Sequence, residues 1–228
     1  MTAESDWRKL NTRIVACEKC PRLIRYCREI AERKRRAYLG QTYWGKPVPN
    51  FGDPRAWLLV VGLAPAAHGG NRTGRMFTGD RSGDFLYKAL WKAGFSSGPA
   101  ATGRDDGLVL TGCAVTAALH CAPPANKPTP GELSNCARWL EETLALVPAG
   151  VVVALGQIAW RAFAGVASAK GWHGGRLPKF SHGADVRLEG GRLLIASYHP
   201  SQRNTFTGRM TEEMMDEVLR RARDFLGG

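Results

Sequence analysis

The chain alternates between short, continuous apolar runs and stretches in which apolar residues recur every three or four positions. The runs are typical of strands buried on both faces, and the helical spacing is typical of helices that cover a sheet. The predicted strands lie at Trp57–Leu63, within Leu108–Leu119, at Val151–Leu155 and at Leu193–Tyr198. The predicted helices lie at Cys20–Tyr38, Asp84–Ala93, Glu132–Leu146, Gln157–Phe163 and Thr211–Phe225.

Because strands and helices alternate, we expect an α/β fold with three layers, α/β/α, around a central, mainly parallel four-stranded sheet. A length of 228 residues fits one domain over residues 1–228. The aperiodic stretches predict an ordered loop at Gly40–Pro54, a surface loop at Ser96–Gly107 and a long excursion or hairpin at Gly171–Gly191. In such a fold the ligand site lies at the carboxyl ends of the strands.

The charge balance favours a polyanionic partner. The formal net charge is +12, and Arg33, Lys34, Arg35 and Arg36 crowd the end of the first predicted helix. Lysines and arginines that neutralise phosphates release counterions, although such residues can equally form a solvated face. No apolar run of about 18 residues is present, and no apolar leader opens the chain. We therefore expect a cytoplasmic monomer with no membrane partner.

Six cysteines in a cytoplasmic protein argue against disulfides and for metal ligation. Cys17 and Cys20 form a C-x-x-C pair before Pro21, whereas Cys121 and Cys136 flank a proline-rich stretch. Four thiolates can hold zinc or an iron–sulfur cluster, or the cysteines can simply be core thiols. A structural zinc site usually offers two tight pairs, so the spacing favours the cluster. Cys27 and Cys113 have apolar neighbours and are expected to pack as small hydrophobic residues.

Three loops at predicted strand ends carry candidate chemistry. The first, from Gly62 to Asp80, is rich in glycine but matches neither the P-loop nor the dinucleotide-binding pattern. The second contains Asn126 among prolines, where an asparagine is commonly only a turn residue. The third places His199 directly after a strand, a position that suits catalysis or a hydrogen-bonded structural role.

Together these loops resemble those of the uracil-DNA glycosylase superfamily, most closely its family 5, the prokaryotic iron–sulfur branch. The segments GLAPAAHGGNRTGRMFTGD, CAPPANKPTP and SYHPSQRNTFTGR resemble its three signature regions, and C-x-x-C-P resembles its first cluster pair. The resemblance runs from about Cys17 to the final helix. It implies a monofunctional glycosylase that removes uracil, and other deaminated bases, from DNA and leaves an abasic site for base excision repair.

The resemblance also implies roles for single residues. Phe77 would stack on the extruded base, the Asn126 amide would read its edge, and His199 would stabilise the leaving base at O2. The implied ligands of a 4Fe–4S cluster are Cys17, Cys20, Cys121 and Cys136. The implied substrate-binding set is Gly62, Ala64, His68, Phe77, Asn126, His199 and Arg203. The segment Gln202–Arg209 resembles the loop that enters the duplex.

One position departs from the better-known branch of the superfamily, where an aspartate that orients water stands at the place of Ala64. Family 5 shares this absence, and the resemblance shifts the role to Asp80, which could instead be a helix cap. Ala64 is also the best support for an alternative, a non-catalytic iron–sulfur module that binds nucleic acid. A cluster-dependent redox protein is a third alternative, but no flavin or nicotinamide motif is visible.

Overall fold

The computed structural model describes residues 2–175 and 177–227, which fold around a six-stranded sheet. In chain order the strands are β1 Phe51–Gly52, β2 Leu58–Gly62, β3 Cys113–Ala117, β4 Val151–Leu155, β5 Asp185–Leu188 and β6 Arg192–Ser197. Across the sheet they stand in the order β1-β3-β2-β4-β6-β5. Strands β3, β2, β4 and β6 run parallel, as expected. Two short antiparallel edge strands, β1 and β5, extend the predicted set of four.

Eight α-helices surround the sheet in the described part of the chain. They are α1 Ala3–Val15, α2 Pro21–Arg33, α3 Gly70–Thr73, α4 Arg81–Lys92, α5 Pro130–Leu146, α6 Gln157–Ala169, α7 Gln202–Phe206 and α8 Glu212–Gly227. Helix α2 is shorter than the predicted Cys20–Tyr38, because Lys34 adopts a left-handed conformation with φ of 51° and ends it. None of the described helices is long and apolar enough to cross a membrane.

The helices form layers on both faces of the sheet. Alternate strand residues, such as Leu58 and Val60, pack with α4 and α8 in one core, while Leu59 and Val61 pack with α5 and α6 in the other. This double coverage explains why β2, β3 and β4 are buried along their whole length. The three-layer α/β/α prediction is therefore confirmed.

The segment expected to be a long excursion ends in a hairpin. Strand β5 pairs antiparallel with β6, and Gly190 and Gly191 form the turn with φ of 76° and 73°. Glycine suits this turn because other residues rarely adopt positive φ at two consecutive positions. Position 176 of the excursion lies outside the described residues.

Candidate active site

The loops that follow β2, β3 and β6 meet in a cleft of about 860 Å³. Four residues predicted for the site line it: His68 and Asp80 after β2, Asn126 after β3, and Arg203 after β6. This location follows from the parallel strands, whose carboxyl ends share one edge of the sheet. Arg35, from the turn after α2, contributes to another wall of the cleft.

Arg72 folds the glycine-rich loop after β2. Its guanidinium donates to the carbonyl oxygens of His68 and Gly79, each at 2.8 Å, and to Oε1 of Gln41 at 2.6 Å. These bonds hold the two ends of the loop together, so that His68 and Asp80 reach the same cleft. The buried guanidinium is satisfied by acceptors within the fold, which is consistent with a structural role.

A second, compact group lies at the strand ends and consists of Gly62, Phe77 and His199. These three residues are not among the described residues that line the cleft. The rings of Phe77 and His199 stack with centroids 5.7 Å apart and an angle of 29° between planes. Phe77 has φ of 51°, a strained conformation for a bulky residue. The Phe77 ring is thus close to both Gly62 and His199.

Gly62→Ala is expected to displace the Phe77 ring, because the new Cβ would lie 2.6 Å from Phe77 Cε2. We expect slower excision of a flipped base with a modest loss of thermal stability, measured by single-turnover kinetics and melting temperature on one preparation. Gly131→Ala is the matched control, since a Cβ there meets no atom within 4 Å. Equal excision rates for the two variants would show that the position of Phe77 does not matter.

The His199 imidazole is neutral at neutral pH. Burial lowers its pKa to about 4, because the charged form loses its hydration. Within residues 2–175 and 177–227, no group forms a hydrogen bond with the ring. A neutral imidazole offers one N–H donor and one acceptor. His199 can therefore donate a hydrogen bond to a ligand without carrying positive charge.

Asp80 caps α4 and lines the cleft. Its Oδ1 accepts a hydrogen bond from the Gly83 backbone N–H at 3.0 Å. A Cβ on Gly69 would lie 2.0 Å from Asp80 Oδ2, so only glycine permits this close approach. Burial raises the pKa of Asp80, and backbone N–H groups of Gly83 and Ser82 partly offset that rise. The helix-cap interpretation is therefore correct, and the proposed role toward water stays a prediction.

Asp84 is a second carboxylate on the cleft that the sequence did not single out. Burial raises its pKa, while nearby Arg81 lowers it. It stands one helical turn after Asp80, and this i, i+4 spacing was a signal that could have revealed it. Among the described residues that line the cleft, Asp80 and Asp84 are the carboxylates.

Asn126 presents an exposed amide at the edge of the cleft. Ala125 and Asn126 both have positive φ, 51° and 56°, in a short 3-10 turn between prolines. Asparagine tolerates this conformation better than most residues, so it also suits the turn. The Asn126 side chain forms no hydrogen bond with any residue of the described ranges 2–175 and 177–227. Its donor and acceptor are thus available to a ligand.

His68 is oriented by Tyr43. The Tyr43 hydroxyl lies 3.0 Å from His68 Nδ1 and accepts a hydrogen bond from the Arg35 backbone N–H at 3.3 Å. The hydroxyl can therefore donate its own proton to Nδ1, which places the proton of a neutral imidazole on Nε2. Burial lowers the pKa of His68, and the cations Arg35 and Arg72 lower it further. His68 therefore meets the cleft as a neutral side chain.

The four cysteines predicted as ligands line one narrow cavity between α2, α5 and the loop after β3. They are Cys17, Cys20, Cys121 and Cys136. Burial raises the pKa of Cys136 to about 12, and the charges of Cys17 and Cys20 add to this rise. Four thiolates brought together would repel one another, so the donor set fits a cationic centre that neutralises them. Ala64 packs against the neighbouring apolar cluster that includes Cys121.

Over residues 2–175 and 177–227 no three His, Cys, Asp or Glu side chains converge on the position of a single metal ion. Cys27 lies beside the set, near enough to Cys121 for the two thiols to hydrogen-bond, and Cys113 is buried within β3. Both belong to the apolar core, as expected. The cluster remains a prediction based on the four thiols that share a cavity.

Part of the positive charge of the basic helix α2 is neutralised by ion pairs. Arg25 and Arg33 form ion pairs with Glu29, and Arg28 forms one with Glu18. Arg35 instead lines the cleft. The two pairs with Glu29 have i, i+4 spacing within α2, which the sequence contains, whereas the pair of Arg28 with Glu18 depends on how the helix lies against the preceding segment.

Comparison with known proteins agrees with this geometry. The profile of the uracil DNA glycosylase superfamily matches residues 49–223. A type-5 uracil-DNA glycosylase of Thermus thermophilus is 53% identical over 216 residues, covering 94% of this chain and 95% of that protein. Type-5 uracil-DNA glycosylases of Pyrobaculum aerophilum and Mycobacterium leprae are 49% and 48% identical, over 92% and 96% of this chain and 89% and 95% of their own lengths. The chain therefore belongs to the uracil DNA glycosylase superfamily.

Proposed function

We propose that the protein is a monofunctional uracil-DNA glycosylase that also accepts other deaminated bases. The observation that carries the proposal is a free amide, Asn126, on the same strand-end cleft as the enclosed carboxylate Asp80. The superfamily match and the named type-5 relatives support the same activity. The product is DNA with an abasic site, which is the substrate of base excision repair.

Recognition begins when the target nucleotide leaves the base stack and enters the cleft. The Asn126 amide has a donor and an acceptor side by side, which match the acceptor O4 and the donor N3–H of uracil. The resemblance assigns the aromatic face for the base to Phe77, whose ring lies beside His199 and outside the described lining of the cleft. Arg203 and Arg35 line the same cleft and are suited to phosphate contact.

Cleavage breaks the bond between the base and C1′ of the sugar, and the bonding electrons leave with the base. Negative charge then develops on O2, where a hydrogen bond from His199 is stronger in the transition state than in the ground state. Because the imidazole is neutral, it acts as a hydrogen-bond donor. The oxygen of a water molecule adds to C1′, and its released proton balances the charge of the departing base.

Asp80 is our candidate for orienting that water or for stabilising the positive charge on the sugar. Residue 64 offers no carboxylate, so Ala64 cannot perform this task. The Gly83 N–H engages one oxygen of Asp80 and fixes the carboxylate on the wall of the cleft.

The cleft also supports the monofunctional assignment. A glycosylase that cuts the DNA strand usually attacks the sugar with an amine and forms a Schiff base. No lysine lies among the described residues that line the cleft. Water is therefore the nucleophile that we propose.

The direct test incubates the protein with a labelled duplex that contains one uracil and then treats the DNA with hot alkali. We expect strand breaks at the uracil and none in the same duplex with thymine. Breaks without alkali would contradict the monofunctional assignment. The second candidate function, a non-catalytic nucleic-acid-binding module, is favoured only by Ala64 and predicts tight binding with no breaks.

We further propose that Cys17, Cys20, Cys121 and Cys136 hold a 4Fe–4S cluster. When bound, such a cluster supplies iron–thiolate bonds that tie the segment before α2 to the loop after β3 and to α5. Protein purified without oxygen is expected to be brown and to contain iron and sulfide. Stoichiometric zinc with negligible iron would refute the cluster. Cys136→Ala should mainly reduce folding and solubility.

Affinity for undamaged duplex DNA is expected to fall steeply with salt, because arginine contacts with phosphates release counterions. Replacing Arg35 and Arg36 together by Gln should reduce the slope of log affinity against log salt by about one unit for each lost contact. Arg220→Gln is the control, since Arg220 pairs with Glu217 and Asp224 on α8. A flat salt response in the parent protein would show that the charge has another purpose.

A further inference from the structure

The position of the His199 imidazole depends on its backbone. The ring forms no hydrogen bond with any residue of the described ranges 2–175 and 177–227, and the Phe77 ring stacks on it while the His199 Cβ lies close to Gly156. Strand β6 ends at Ser197, so Tyr198 and His199 lie beyond the sheet hydrogen bonds. Other groups therefore have to hold these two residues in place.

His182 holds the chain on the amino-terminal side of His199. The Tyr198 backbone N–H donates a hydrogen bond to His182 Nδ1 at 3.1 Å, and the two rings lie 5.2 Å apart. A backbone N–H can only donate, so Nδ1 must be an unprotonated acceptor. The contact therefore requires neutral His182 with its proton on Nε2.

Asn204 holds the chain on the carboxyl-terminal side. Its Nδ2 donates to the His199 carbonyl oxygen at 2.8 Å, and the same oxygen accepts the Ser201 backbone N–H at 2.8 Å. The Asn204 backbone oxygen in turn accepts a hydrogen bond from the Met210 N–H at 3.0 Å. Asn204 thus joins His199 to α7 and to the chain that follows it.

We propose that His182 and Asn204 are positioning residues, which hold the His199 imidazole where it can reach the leaving base. The proposal rests on the proposed function, because it concerns the same histidine. It adds two residues that lie on separate segments, one on the excursion before β5 and one on α7.

The surroundings of His182 keep it in the form that the contact needs. Burial lowers its pKa, and the cation of Arg221 on α8 adds to this, while the Met214 backbone acts in the opposite direction. Arg221 is itself paired with Asp185 of β5. Arg209 lies over the ring of Tyr198, with its guanidinium carbon 4.6 Å from the ring centre. If His182 were protonated, its Nδ1–H would face the Tyr198 N–H. Two donors cannot form a hydrogen bond, so the contact would be lost.

The test is a double-mutant cycle on single-turnover excision from a uracil duplex. His182→Ala and Asn204→Ala should each slow excision by roughly tenfold to a hundredfold, and His182→Ala should leave duplex affinity unchanged. In the His199→Ala background neither change should slow excision further, because no imidazole remains to be positioned. His173→Ala, on the same excursion, is the control and should match the parent.

The conservative variant His182→Asn keeps an acceptor near the Nδ1 position and should recover most of the rate. If His182→Ala does not fold, Asn204→Ala completes the cycle with His199→Ala, and His182→Asn shows whether an acceptor at position 182 is enough for the parent rate. An equal slowing in the parent and in the His199→Ala background would overturn the proposal, as would a well-folded His182→Ala protein with the parent rate.

The His199 ring resonances in NMR spectra give a readout that does not depend on activity. They should shift in His182→Ala and in Asn204→Ala, and they should be unchanged in His173→Ala. Unchanged resonances in the first two variants would overturn the proposal. A parent protein that leaves uracil in place, with shifts as expected, would reject the function and retain the positioning role.

Discussion

His199→Ala is expected to slow single-turnover uracil excision by roughly a hundredfold to a thousandfold, the usual effect of removing one hydrogen-bond donor to developing negative charge. This corresponds to about 3–4 kcal/mol of lost transition-state stabilisation. Duplex affinity should stay nearly unchanged, because the bond is made fully only when the base departs. Melting temperature, affinity and rate are to be measured on one preparation.

The pH dependence gives an independent check on His199. Its pKa is lowered to about 4 by burial, so the ring is neutral above that value and gains a charge only below it. The contribution of His199 to the rate should therefore be constant from about pH 5 to pH 8. A variant that melts at a lower temperature but excises uracil at the parent rate would indicate a purely structural histidine.

Asp106→Ala is expected to destabilise the fold by about 3–5 kcal/mol, because it leaves the buried Arg75 guanidinium without its carboxylate. Arg75 Nη1 donates to Asp106 Oδ1 at 2.8 Å, and only 3% of the Arg75 side chain is exposed. Asp106 also accepts the backbone N–H groups of Thr102, Gly103 and Leu108. The pair fastens a surface loop to the turn that precedes Phe77. Urea denaturation measures the loss.

Asp105→Ala is the matched control, since that neighbouring side chain is 86% exposed and should leave the free energy of unfolding unchanged. Burial opposes ionisation of Asp106, but Arg75 and the three N–H groups together hold its pKa well below the ordinary value. The stabilisation is thus present above the ordinary carboxyl pKa of about 4 and is lost as pH falls through the lower folded value. Asp106→Ala should lack this acid-induced loss, and equal stability of the two variants at neutral pH would contradict the prediction.

The parallel part of the sheet could be predicted because its strands are buried on both faces and therefore read as continuous apolar runs. Strand β1 has two residues and carries no such pattern. Helix α1 buries Trp7, Leu10 and Ile14 at helical spacing, so the sequence does contain a pattern for this helix. The local apolar pattern therefore predicts the central strands and the helices that cover them, but it does not predict the edge strand β1.

The candidate site likewise has a part that could be predicted from the sequence and a part that could not. The strand-end loops brought His68, Asp80, Asn126 and Arg203 to one cleft, as the topology requires. The stacking of Phe77 on His199 and the contact of His182 with Tyr198 depend on side chains from segments far apart in the chain. Sequence periodicity contains no information about such contacts, because they follow from the final packing.

The contacts of the first two helices have a consequence for synthesis on the ribosome. Arg13 of α1 forms an ion pair with Glu142, and Arg22 of α2 forms one with Glu132. Helix α5 therefore supplies ion-pair partners to both amino-terminal helices. A nascent chain makes the amino-terminal helices long before α5 emerges, and until then their apolar faces and the Cys17 and Cys20 thiols lack their partners. The proposed cluster would need all four thiols, so its insertion would have to follow the translation of Cys136 and would come late in the maturation of this protein.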